Sequence, residues 1–280
     1  MKLCYAIPQL DDMSLEELEA YLAELSGLGY KGIEPALGYT ENIDTESLKA
    51  LLLKYGMELV AVRSGGILSK ENVRLSSPEP EVRKRAVELL KRQVDMLHST
   101  GGKLVVGGIQ GKILPGENRE AAEKWITEGF RELGAYAADK DVEILFEPIT
   151  RYEMNYHNST LECMGFLDRV NKTLSKKIAI VFDVFHSMME DASIPAALIT
   201  AKDMVKHIHL SDTNRCEPGS GSMDYAEIIR VLDALGYDGY LSIEVWPKVS
   251  HLQAAQITAN YLNTIFEQVE LRKQNDAYKY

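Results

Sequence analysis

Short apolar runs alternate with longer amphipathic stretches from one end of the chain to the other. This rhythm constrains the fold more than any other feature. The apolar runs are Leu3–Ile7, Gly32–Leu37, Glu58–Ser64, Lys103–Ile109, Glu143–Ile149, Ile178–His186, Val205–Asp212 and Tyr240–Trp246. Each reads as a strand. Helical stretches follow them at Ser14–Gly29, Thr45–Gly56, Pro80–Gly101, Arg119–Lys140, Thr160–Asn171, Ile194–Asp203, Asp224–Gly236 and His251 to about Gln268. Ser14 with Glu17 three residues on is a capping-box start. Gly29, Gly56, Gly101 and Gly236 each close a helix, where glycine takes a left-handed conformation at no steric cost. Eight such βα units predict one α/β domain over 1–280, a closed (β/α)8 TIM barrel. An open doubly wound sheet would want a glycine-rich turn after the first strand, and IPQLDD is not one. The polar end, about 270–280 and including KQNDAYKY, reads as a frayed tail.

Charge and cysteine usage narrow the partners. A net charge of −11 argues against a phosphate backbone as the main partner. It suits an enzyme acting on a small molecule. The start, MKLCYAIPQL, has too short an apolar run for a signal peptide. No stretch reaches the roughly 18 apolar residues that a membrane span needs. Cys4, Cys163 and Cys216 are scattered and form no CxxC pair, so a disulfide framework or zinc knuckle is not expected. A reducing cytoplasm is the expected home.

Four of the runs end in side chains able to hold a metal. ILFEPIT carries Glu147, IVFDVFH carries Asp183 and His186, HIHLSD carries His209, and LSIEVW carries Glu244. In a barrel of this kind the site lies at the C-terminal ends of the strands. Strand alternation sets Val181 and Asp183 on one face with Phe182 on the other; Ser242 and Glu244 likewise share a face, with Ile243 and Val245 packed outward. Three carboxylates and one imidazole make a hard, anionic site that suits Mn²⁺, Mg²⁺ or Co²⁺ better than a structural zinc. Without a cation such carboxylates would repel one another. Any one strand-end carboxylate reads equally well as a helix cap or a surface ion pair; four on consecutive strands favour a metal.

Other residues are candidates by proximity. His186 falls in the loop after Asp183 and is read as a substrate contact rather than an exposed loop histidine. Arg215, in SDTNRCEPGSGSMDY, offers a guanidinium for a substrate hydroxyl or a developing oxyanion. Glu153 is the other candidate; its bland alternative is pairing with Arg151. His207 shares a face with His209 one layer deeper and reads as a satisfied barrel histidine. Glu34 either lines the mouth or caps a helix. The pairs Gly65–Gly66 and Gly107–Gly108 are weak signals for space beside a ligand. There is no Walker loop, GxSxG or HExxH. With no phosphate cradle either, an unphosphorylated substrate is mildly favoured.

The segments FEPITRYE, FDVFHSMMED, HIHLSDTNR followed by PGSG, and IEVW resemble the xylose-isomerase-like barrel superfamily of sugar isomerases and epimerases. The nearest likeness is to the ketose 3-epimerases of the D-tagatose/D-allulose type, and in element order it covers nearly the whole chain. The resemblance implies that Glu147, Asp183, His209 and Glu244 hold one divalent metal, Mn²⁺ first, with Co²⁺ or Mg²⁺ as alternatives. It implies that Glu153, His186 and Arg215 contact the substrate. It also implies epimerisation of a ketose at C3 through a cis-enediolate, with Glu147 and Glu244 exchanging protons on opposite faces. Alternatives that share the metal set are an aldose–ketose isomerase of the hydroxypyruvate-isomerase kind and a keto-inositol dehydratase. A barrel that binds sugar without turning it over is a further class. EPITRYE departs from the frequent EPLNRYE, and the loops after the first four strands match nothing assignable, so the sugar stays open. The endonuclease IV branch uses further histidines that ELVAVRS and KLVVGGIQG lack, so DNA repair is not expected. The resemblance also implies a homodimer or homotetramer.

Overall fold

In the computed structural model, which describes residues 1–277, nine strands form a single parallel sheet. They are β1 (Lys2–Tyr5), β2 (Gly32–Ile33), β3 (Glu58–Leu59), β4 (Ala61–Arg63), β5 (Lys103–Val106), β6 (Glu143–Phe146), β7 (Ala179–Asp183), β8 (Val205–Leu210) and β9 (Tyr240–Ile243). The sheet runs β3-β2-β1-β9-β8-β7-β6-β5-β4. Its two ends, β3 and β4, are halves of one stave parted only by Val60. The Val60 N–H donates to the Ile33 carbonyl, and its own carbonyl accepts from the Lys103 N–H, both at 3.0 Å. The third stave thus pairs with β2 below and β5 above, and the sheet closes into the expected eight-stave barrel ringed by helices.

Side chains divide between the two faces of the staves. Ala61, Val105, Leu145, Ala179 and Val181 form a small cluster inside the barrel. Val62, Leu104, Phe146, Ile180 and Phe182 face the helices and join the larger core. There Phe146 meets Phe130 and Phe166 with ring centroids 5.2 and 5.1 Å apart. The face assignments for Val181, Phe182, Ile243 and Val245 follow the alternation read from the sequence.

The Ser14–Glu17 capping box forms at the start of helix Leu15–Gly27. Gly56 closes helix Thr45–Tyr55 in the left-handed region, φ 61° and ψ 37°. Gly101 after helix Pro80–Thr100 combines φ 84° with ψ 179°, a conformation that a Cβ would strain.

Two expectations are corrected, and one unassigned segment gains a helix. The sixth apolar run leaves the ladder at Asp183, whose carboxylate accepts the N–H of Phe185 at 2.7 Å and of His186 at 3.3 Å. Helix Val184–Glu190 starts there, so His186 lies in a first helical turn and not in a loop. A short apolar run such as VFH fits either period, and the capping aspartate decides it. A second short helix, Gly65–Glu71, occupies the segment after the third stave. The last helix runs His251–Ala277, well past Gln268, and Lys273 bonds Asp233 at 2.6 Å and Glu270 at 2.9 Å. The start of the expected frayed tail is therefore held; residues 278–280 lie outside the described residues.

Candidate metal centre

Four neighbouring staves deliver the candidate ligand set. Asp183 ends β7 and His209 lies one residue before the end of β8, while Glu147 and Glu244 stand immediately past β6 and β9. All four point into the barrel mouth, and one donor atom from each lies within 4.8 Å of all the others. His209 Nδ1 sits 3.1 Å from Glu147 Oε1, 3.3 Å from Glu244 Oε2 and 4.0 Å from Asp183 Oδ2.

The other side of that imidazole is fixed by a residue whose role was ambiguous in the sequence. Glu34, fully buried one residue past β2, accepts from His209 Nε2 at 2.8 Å and from His207 Nε2 at 2.7 Å. Nε2 is thereby committed, and Nδ1 faces the carboxylates, the carboxylate–histidine arrangement that orients a metal-binding imidazole. Glu34 caps no helix, and His207 is a satisfied barrel histidine as expected. The signal for Glu34 was the alternation Gly32–Ile33–Glu34, which turns it inward with Gly32.

The charges are arranged against strong burial. Burial opposes ionisation of Glu244, yet His209, Arg215 and Arg63 hold its carboxyl well below the usual range. Burial likewise opposes the Asp183 carboxylate, and Arg215 above all brings it down. For His209, burial disfavours the proton, but Glu34 and then Glu244 raise its basicity well above the ordinary value. His209 and the Arg215 and Arg63 guanidinium groups lie beside the clustered carboxylates and offset their negative charge. A divalent cation fits this donor set: three hard carboxylates and one imidazole with its outer nitrogen tied down.

Arg215 spans the centre. Its Nη1 donates to Asp183 Oδ2 at 2.6 Å and to Ser211 Oγ at 2.9 Å, and its Nη2 to Glu244 Oε2 at 2.6 Å. The residue has φ 58°, rare for a side chain other than glycine. The strained turn is held by buried Asp212, whose carboxylate accepts the N–H of Thr213 at 2.8 Å, Gly219 at 2.9 Å and Met223 at 3.0 Å. A Cβ at Gly221 would lie 2.2 Å from Asp212 Oδ1, which accounts for the second glycine in PGSG.

His186 is buried beside the centre, its Nε2 3.8 Å from Asp183 Oδ2. The Thr150 N–H donates to its Nδ1 at 3.4 Å, which turns Nε2 toward the mouth. Glu153 is exposed at the rim of the same cavity. It does not pair with Arg151, which instead makes a two-pronged contact to Glu190, with Nη2–Oε2 at 2.8 Å and Nε–Oε1 at 3.1 Å. Sequence reading passed over Arg63, which ends β4 facing inward with Ala61 and bonds Glu244 Oε1 at 2.8 Å. The glycine signal is sharper than its reading: a Cβ at Gly107 would lie 2.3 Å from Glu147 Oε2, so this glycine makes room for the Glu147 carboxylate. The mouth holds a cavity of about 220 Å³, room for one small molecule, walled by Ile149 and the exposed Trp246 among others. A larger cavity of about 590 Å³ lies toward the opposite end of the barrel, with Lys172, Lys176 and Lys206 on its rim. No convergent ligand set points into it among the described residues, so the chemistry and not the size marks the site.

A family model described as xylose isomerase-like TIM barrel matches residues 22–265. An L-ribulose 3-epimerase from Methylomonas sp. (strain DH-1) is 29% identical over 256 residues, covering 88% of this chain and 87% of the relative. A D-psicose 3-epimerase from Ruminiclostridium cellulolyticum is 29% identical over 237 residues, covering 80% and 76%. Among solved structures, a 3-keto-D-glucoside 4-epimerase from E. coli superposes with a TM-score of 0.81 at 23% identity, over 94% of this chain and 99% of that one. At that identity the likeness speaks for the fold.

Proposed function

The chain belongs to the xylose isomerase-like TIM-barrel family and is related to the ketose 3-epimerases, and from that premise we propose that it epimerises an unphosphorylated ketose at C3. It is an isomerase or epimerase with a metal-binding centre. One observation carries the finer reading: Glu147 and Glu244 reach the same His209 Nδ1 from different staves, β6 and β9, and so can flank a bound substrate.

Glu147, Asp183, His209 and Glu244 would hold the cation, with Mn²⁺ the first expectation. When bound, it supplies Lewis acidity to a substrate carbonyl and the adjacent hydroxyl. One glutamate takes the C3 proton, leaving a cis-enediolate, and the other returns a proton to the opposite face. The Arg215 guanidinium and His186 Nε2–H donate to substrate oxygens and offset the developing negative charge. Glu153 at the rim holds a substrate hydroxyl or a water. Residues 1–280 are read as one catalytic domain. A homodimer or homotetramer is proposed from the family, and light scattering on the purified protein tests it. A cytoplasmic home is proposed from free, buried Cys4, Cys163 and Cys216. No helix among the described residues is long and apolar enough to cross a membrane.

The test is a panel of ketoses incubated with Mn²⁺-loaded protein in D₂O and followed by NMR. Deuterium at C3 with a new epimer supports the proposal. Exchange confined to C1 and C2 would make it an aldose–ketose isomerase, and loss of water a dehydratase. No exchange on the whole panel, with or without Mn²⁺, sinks the catalytic reading.

A further inference from the structure

Arg63 ends the third stave and points into the cavity, yet neither the ligand set nor the proton transfers above use it. Its Nη1 donates to Glu244 Oε1 at 2.8 Å and its Nη2 to the Ile7 carbonyl at 2.7 Å. Arg215 grips the other oxygen of the same carboxylate, Oε2, which is also the one 3.3 Å from His209 Nδ1. Glu244 is thus held from two sides, and the two grips differ. Arg215 is shared with Asp183 and, in the reaction proposed above, turns to substrate oxygens. Arg63 is tied to main chain just past β1, so its hold on Oε1 survives that turn. Glu147 has no counterpart: its Oε1 faces His209 Nδ1, and no guanidinium bonds it among the described residues. A planar, forked cation anchored on a backbone carbonyl restricts a carboxylate in both distance and rotation, which a flexible ammonium does not.

We propose that Arg63 is a positioning residue that fixes the Glu244 carboxylate for proton transfer on one face of the substrate, while Glu147 serves the other face without such a clamp. This rests on the two-glutamate reading above, and its test separates the two. Wild-type, Arg63→Ala, Arg63→Gln and Arg63→Lys proteins are loaded with Mn²⁺ and assayed in D₂O from each of the two C3 epimers. NMR reads two rates: deuterium entering C3 with configuration retained, which needs one glutamate, and formation of the other epimer, which needs both. In Arg63→Ala, epimer formation falls about 10- to 100-fold, the usual cost of losing a partner that orients a site ligand. From the epimer whose hydrogen faces Glu147, retained-configuration exchange stays close to wild type; from the other epimer, both rates fall together. Arg63→Lys recovers part of the conversion, since an ammonium reaches Oε1 but cannot fork to Ile7 as well. Should Arg63→Ala not fold, the Gln and Lys variants carry the same comparison, with melting temperature as the check on fold. Equal loss of exchange and conversion from both epimers, or no loss at all, overturns the inference while a converting wild type leaves the epimerase reading standing. A wild type with neither exchange nor conversion overturns that reading and this inference with it.

Discussion

At the scale of single residues, the centre sets strong burial against strong pairing, and its parts are separable by substitution. Glu244→Gln keeps shape but cannot carry a proton at that atom. Turnover should fall by at least about 100-fold, the lower end of what a positioned acid–base group contributes; retention of full turnover would rule out the two-carboxylate scheme. Glu34→Gln leaves the four candidate ligands in place but weakens the hold on His209 Nε2. Calorimetric titration with Mn²⁺ should show affinity about 10- to 100-fold weaker, and an unchanged affinity would mean that Nδ1 needs no such orientation. His157 offers a test remote from the centre. It is stacked on Phe166 with ring centroids 4.4 Å apart, and burial lowers its pKa to about 4. An unfolded chain binds this proton near pH 6.5, so the folded state is penalised as the pH drops. The contribution is complete above about pH 6.5 and is lost as the pH falls toward 4. Urea unfolding of wild type and His157→Phe at several pH values in that window should show the smaller pH dependence in the variant.

At the scale of elements, each helix and stave is held by packing that the sequence announces and by close approaches that it does not. Phe146 on β6, against Phe130 and Phe166, is fully buried beneath the stave that delivers Glu147. Phe146→Ala should cost about 3–5 kcal/mol by urea denaturation, with Mn²⁺ affinity reduced as β6 shifts. Gly107→Ala makes a complementary case. The added methyl would lie 2.3 Å from Glu147 Oε2 and so should push the carboxylate aside. Metal binding should then be lost while far-ultraviolet circular dichroism remains that of the wild type. The capping box of Ser14 and Glu17 was legible because it is local, with both partners inside one helical turn. The stop of β7 at Asp183 was not, because an apolar run satisfies strand and helix periods alike and only the capping hydrogen bonds end the ladder. Arg151 found Glu190 and not Glu153 because helix Val184–Glu190 brings Glu190 over the loop, a placement that no sequence spacing encodes.

At the scale of the whole molecule, barrel closure is what makes a site out of separate strand ends, and a bound cation should stabilise the closed form. With free metal at about 100 times its dissociation constant, linkage adds about 2.7 kcal/mol. For a chain of this size that is a rise in melting temperature of about 5–10 °C, reversed by a chelator. A melting temperature indifferent to Mn²⁺ and to chelator would count against a resident metal. The sequence by itself determined the alternation of strands and helices, the inward or outward face of side chains near the strand ends, and the place of Glu147, Asp183, His209 and Glu244 as candidate ligands at four of those ends. These follow from periodicity, which is a property of neighbours along the chain. The tertiary structure decided which distant groups complete the centre: Glu34 against His207 and His209, Arg63 against Glu244, and Arg215 across Asp183 and Glu244; it also closed the sheet, at Val60, where the third stave passes from pairing with β2 to pairing with β5. Those partners lie far apart in sequence, and the register around a closed ring of staves, not any local pattern, sets their distances.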